Sequence, residues 1–214
     1  MALLDKANCQ AVMLALNMLG WIFTLVSMGL PNWRTWYIES SPAPPWGLAY
    51  VGMWKVCSYE PNGLQSRPIA CHRYTYSDAY LPLDILLAQH LLLAASILGF
   101  LGKRLIVMDL WRGYTTQLQK DTTCDLFFTS RILNITAGAF ISIAVLCNYY
   151  AVINEEAIHF PPSFHIPYRP DRQEMGSTVY LAILAALLML LSGLFTTSFQ
   201  QPPQRPNVSP ISQV

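Results

Sequence analysis

The chain has 214 residues, 53% of them apolar and only 12% charged, with 13 Lys and Arg against 12 Asp and Glu. An ordinary soluble domain carries about a quarter charged residues, and this balance leaves neither a basic stripe for nucleic-acid phosphates nor a like-charged tail. Residues 7–33, 85–102, 132–154 and 175–204 hold no charge; a bilayer core about 30 Å thick needs roughly 20 apolar residues per helix, so the expected fold is a four-helix transmembrane bundle.

In chain order, residues 1–10 form a short N-terminus and the first span runs 11–30, closed by Pro31. A cleaved signal peptide competes for this segment, because Lys6 precedes it and Ser27-Met28-Gly29 is a small-x-small site. A signal core of roughly 7–15 residues is shorter than this run, which favours a retained helix. The second span is 85–102, followed at once by Lys103-Arg104; the third is 132–153, preceded by Arg131; the fourth is 176–195. Small residues four apart suit close helix packing in lipid, where apolar surface gives helices no reason to associate: Ala11 and Ala15, Gly138 and Ser142, Ala182 and Ala186.

The 103–131 loop has five Lys and Arg in 29 residues, against four in 54 for 31–84. The positive-inside tendency then places 103–131 and both termini, including the 196–214 tail, in the cytoplasm. The loops 31–84 and 154–175 fall outside. Cys57 and Cys71, the only cysteines of 31–84, agree with that assignment, since a disulfide persists on the oxidising side.

Within 31–84 the composition turns strand-like. Trp33–Ile38, Ala49–Tyr59 and Ala70–Tyr76 are rich in aromatic and β-branched residues, with Ser41-Pro42-Ala43-Pro44-Pro45 and Glu60-Pro61-Asn62-Gly63 between them. That pattern predicts a small extracellular antiparallel β-sheet. So small a sheet has little core, and a Cys57–Cys71 bridge closing about 15 residues would add on the order of 3 kcal/mol.

Trp33, Gly52-Met53-Trp54, Cys57 and Cys71, in that order, resemble the claudin signature of Trp, Gly-Leu-Trp, Cys and Cys. Asn148-Tyr149-Tyr150 and Glu174-Met175-Gly176-Ser177-Thr178-Val179-Tyr180 resemble claudin segments at the end of the third span and the entry to the fourth. The likeness runs from residue 7 to about 198. Met53 replaces the usual Leu, and the 13 residues between the cysteines exceed the usual gap. Asp84, Gln89 and His90 stand where claudins commonly carry a basic residue near the second span. The 103–131 loop is long for the family, and no cysteine pair follows Phe199.

The resemblance implies a cell–cell adhesion and barrier protein of tight junctions in the plasma membrane. Such proteins polymerise with themselves or other claudins, in cis and in trans. The alternative is a non-junctional four-span relative, such as an ion-channel auxiliary subunit or a lens or myelin-type membrane protein. It also implies that Trp33, Gly52, Met53 and Trp54 anchor the sheet, and that His72, Arg73 and Asp78 lie where charge selectivity is set. Four positive and four negative residues between Arg34 and Asp84 predict a barrier or a weak anion preference. Phe160, Phe164 and Tyr168, in a Pro-stiffened second loop, are candidates for trans contact or for packing on the first loop. The ending Ile211-Ser212-Gln213-Val214 fits a PDZ groove through Ser212 and Val214. Cys9 and Cys124 lie near membrane boundaries, where palmitoylation and an unmodified thiol are both open. His90 is the only histidine well inside a span, and His159 and His165 make a poor ligand pair. No metal-ligand spacing or phosphate loop is present, so the expectation is no enzyme, no metal and no cofactor.

Overall fold

The computed structural model describes residues 2–38, 47–59, 68–74, 78–115, 123–164 and 166–198. Four long helices carry the chain: α1 (Ala2–Gly29), α2 (Leu83–Thr115), α3 (Thr123–Ile153) and α4 (Ser177–Ser198). Each contains a stretch long and apolar enough to cross a membrane, at Gln10–Gly29, Leu83–Trp111, Phe128–Ile153 and Ser177–Phe195. Inward-facing positions are small or shape-matched, among them Ala88, Ala95, Ala137, Ala144, Ala182, Ala185 and Met189. Leu and Ile side chains such as Ile97, Leu146 and Leu187 face outward. This inverts the soluble pattern, as helices packed in lipid require.

The helix ends differ from those expected. Lys103 and Arg104 do not end α2, which continues to Thr115. Their long stems allow charged heads to reach past the apolar zone, and Leu105–Met108 extends the helical run without Gly or Pro. Ile106 and Asp109 are buried in this extension, and Gln10 on α1 donates to Asp109 at 3.0 Å. At roughly 1.5 Å per residue, the 33 residues of α2 outreach a 30 Å core by about 20 Å. α3 likewise begins at Thr123, so much of 103–131 is helical.

Of the small-residue pairs, Gly138, Ala182 and Ala186 lie in the packed interior; Gly138 sits against Leu190 and the Ala186 carbonyl. Ala11 and Ala15 are exposed instead. The close approach of α1 to α4 is made by Gly20, against Ala185, Leu188 and Met189. Deeper in the bundle, Asn17 donates to Asn134 at 2.6 Å, Asn134 to Ser192 at 3.3 Å, and Ser192 to the Met13 carbonyl at 3.0 Å. These bonds join α1, α3 and α4 where no water could satisfy the same groups.

On one end of the bundle stands a five-stranded antiparallel sheet: β1 (Arg34–Ile38), β2 (Gly47–Val51), β3 (Lys55–Tyr59), β4 (Pro68–Arg73) and β5 (Arg172–Met175), in the order β4-β3-β2-β1-β5. The stretch Ala49–Tyr59 is two strands, because Gly52-Met53-Trp54 turns the chain and Gly52 N–H donates to the Lys55 carbonyl at 3.0 Å. β5 comes from the segment before α4 and pairs with β1 from Arg34↔Met175 to Tyr37↔Arg172. The charged and amide residues of Arg172-Gln173-Glu174-Met175 carry no strand signal. Pairing to β1 outweighs local propensity there.

Candidate functional site

Register divides the sheet into two faces, since residues directly opposite in an antiparallel pair share a face. One face carries Arg34, Trp36, Ala49, Val51, Val56 and His72. It rests on the bundle: Trp36, Ala49 and Val56 are fully buried and Val51 nearly so. The opposite face carries Tyr37, Tyr50, Cys57, Cys71, Lys55 and Arg73. Cys57 lies directly across from Cys71 on neighbouring strands, and the two form a disulfide.

Each signature residue has a physical task in holding the sheet down. Trp33, fully buried, donates its indole N–H to the Ser27 carbonyl at the end of α1, 2.8 Å away. Its own carbonyl accepts from Gly176 at 2.9 Å and from the Asn148 amide at 3.4 Å, tying β1 to the start of α4 and to α3. Gly52 backs onto the end of α1, where an added Cβ would lie 2.6 Å from the Pro31 Cα and 2.9 Å from the Leu30 carbonyl. Backbone leaves no room for a side chain there. Met53 is buried and its carbonyl accepts from Gln89 of α2 at 2.5 Å. Trp54 packs partly buried against the core. Tyr74 closes the turn, its hydroxyl donating to the Gly52 carbonyl. Burial pushes that phenol up.

Sequence reasoning missed the centre of this anchor. Arg34, 1% exposed, forms an ion pair with Asp84 at the first turn of α2, and its Nε donates to Asn148 of α3 at 2.9 Å. One guanidinium therefore joins β1, α2 and α3. Burial lowers its pKa to about 10, with Tyr74 and Glu156 opposing that shift, so Arg34 stays cationic at neutral pH. The departure noted at Asp84 and Gln89 has a structural reading: Asp84 neutralises Arg34, and Gln89 holds the Gly52–Trp54 turn. A charge at the edge of an apolar run, paired with an Arg just after the preceding helix, was the available signal.

The candidate charge residues do not form one group. His72 is on the face toward the bundle and stacks on Phe164, with ring centroids 4.1 Å apart. Arg73 is exposed on the opposite face, directly across from Lys55. Asp78 accepts from the Tyr80 hydroxyl at 3.1 Å. Burial first, and then that bond, push the Tyr80 phenol up to about 12. Of the candidate contact aromatics, Phe160 is buried against Trp36 and Tyr80, and Phe164 is half-buried against His72 and Tyr80. They wedge the second loop under the sheet. Tyr168 is 61% exposed and stacks on His159. His90 is exposed on α2, its Nδ1 2.7 Å from the Leu86 carbonyl. His165, Ser212 and Val214 lie outside the described residues, as do the side chains of Cys9 and Cys124. No cluster able to hold a metal occurs among the described residues.

A family model described as PMP-22/EMP/MP20/Claudin tight junction matches residues 18–197. The chain is 27% identical to claudin-6 of Homo sapiens over 190 residues, 88% of this chain and 80% of that protein. It is 30% identical to claudin-3 of Homo sapiens over 181 residues, 84% and 76% of the two chains. Against claudin-2 of Bos taurus it is 27% identical over 190 residues, 87% and 76%.

Proposed function

Taking as premise that the chain belongs to the PMP-22/EMP/MP20/claudin family, we propose that it is an adhesion and barrier protein of tight junctions, associating with itself or other claudins in one membrane and between two. The observation that carries this reading is the stapled sheet itself. It is tied to every helix of the bundle, yet leaves Tyr37 and Arg73 exposed on the face turned away from the helices. Rigidity of this kind lowers the entropy lost on docking.

The sheet end faces outside the cell in this account, because its disulfide requires an oxidising compartment. The Lys- and Arg-richer segment 103–131 and both termini are then cytoplasmic. Tyr168 is the second-loop aromatic available for contact across the gap; Phe160 and Phe164 pack against the first loop instead. The side-by-side cations Lys55 and Arg73 bias the exposed face against cation passage, since the Arg34 and Asp84 charges cancel within the anchor.

Expression in fibroblasts that lack junctions tests the proposal. Enrichment at contacts between two expressing cells, with strands visible by freeze-fracture, is the expected result. Uniform surface staining would reject adhesion and point to a non-junctional relative.

A further inference from the structure

At the sheet end of the bundle, the start of α2 and the end of α3 flank a shallow, open groove of about 760 Å³ on the lipid-facing side. Its lower wall is apolar and unpacked: Leu87 is 48% exposed and Leu146 62%. Above them stands the ring of Tyr150, 66% exposed, beside Tyr149. Two carboxylates, Asp84 and Glu156, complete the lining.

The electrostatics of this rim are unbalanced. Asp84 meets Arg34 through one oxygen, while its Oδ1 is buried without a hydrogen-bond partner among the described residues. Glu156 has no ion-paired or hydrogen-bonded side-chain partner among them. The three groups therefore sum to one negative charge. Glu156 is also held in place. Glu155 adopts a left-handed φ of 48°, and the bonds Glu156 N–H to Ala151 O (3.0 Å) and Glu155 N–H to Val152 O (3.2 Å) cap α3. This cap folds the chain back over the end of its own helix.

We propose that the groove binds a phosphocholine lipid from the surrounding leaflet. Its quaternary ammonium lies on the tyrosine rings next to Glu156, and an acyl chain follows Leu87 and Leu146. An excess negative charge beside aromatic faces selects a cation, and a cation without N–H groups suits a ring face better than a carboxylate alone. The apolar wall requires a chain attached to that cation. A sterol fills the wall and leaves Glu156 unbalanced; a lysine from a second copy balances Glu156 and leaves the wall empty.

The test uses the full chain in nanodiscs of equimolar phosphatidylcholine and phosphatidylglycerol, extracted in mild detergent, with retained lipids quantified by mass spectrometry. Phosphatidylcholine should be enriched about two- to fivefold, the size that one partly exposed cation–π contact gives. Glu156→Gln and Tyr150→Ala should each abolish the enrichment. Tyr150→Phe, and Leu187→Ala on the outer face of α4, should retain it. Equal retention by the wild type overturns the proposal, whatever the variants do. So does displacement of phosphatidylcholine by cholesterol or phosphatidylethanolamine in mixed discs. Groove variants that change self-association without changing the lipid ratio would assign the groove to a second copy instead.

Discussion

Replacing Arg34 by Met removes the cation that joins three elements while keeping most of the side-chain volume. The guanidinium is 1% exposed and its partner Asp84 is 13% exposed, so little solvent could take over when it goes. Removing one member of a buried pair costs about 3–5 kcal/mol, because the remaining charge is stranded. Asp84 keeps slight access to water, which places the expected loss near the lower bound, about 3 kcal/mol; the lost Nε bond to Asn148 is part of that figure. Arg34→Met combined with Asp84→Asn strands no charge and should cost about 1 kcal/mol, while Asp84→Asn alone strands the guanidinium and should also cost about 3 kcal/mol; the two single losses together then exceed the double by about 5 kcal/mol in a double-mutant cycle. Unfolding in mixed micelles, followed by the fluorescence of buried Trp33 and Trp36, reads this directly. A loss under about 1 kcal/mol for the single variant, or additive effects in the pair, would refute the ion pair as the anchor.

Other expectations are as sharp. Cys57→Ser or Cys71→Ser should each cost on the order of 3 kcal/mol and lower delivery to the surface, scored by biotinylation of intact cells; normal delivery with intact function would remove the staple from the account. Gly176→Ala places a Cβ onto the Asn32 carbonyl, which caps the start of α4 by accepting from Thr178 N–H at 3.0 Å. About 1–3 kcal/mol should be lost through that displacement, visible as a lower melting temperature. Tyr80 has a folded pKa of about 12, above its ordinary value near 10, so the fold favours its protonated form. That contribution is complete below pH 10 and is lost as pH rises from about 10 to about 12; Tyr80→Phe should shed less stability over this window in alkaline unfolding, and an unchanged slope would contradict the assignment.

The sequence announces the four helices because lipid imposes a length and a polarity that no other environment demands. It also announces the disulfide and the turn signals of the first loop. The course of α2 past Lys103 is not legible, because a charge marks the edge of an apolar run and not the end of a helix. β5 is not legible either, since Arg172-Gln173-Glu174-Met175 becomes a strand only when β1 offers an edge. At the site, Trp33 and Gly52-Met53-Trp54 could be read as anchors, whereas Arg34, Asp84 and Asn148 are brought together from positions far apart in the chain. His72 and Arg73 are neighbours in sequence and lie on opposite faces, a consequence of the two-residue strand period.

The four lysines, Lys6, Lys55, Lys103 and Lys120, permit one decisive measurement. Intact cells expressing the chain are treated with an amine reagent that does not cross membranes, and the modified peptides are mapped. A sheet that meets the extracellular gap predicts modification at Lys55 and protection at Lys6, Lys103 and Lys120 until the cells are opened. Modification of Lys103 and Lys120 with Lys55 protected would contradict it.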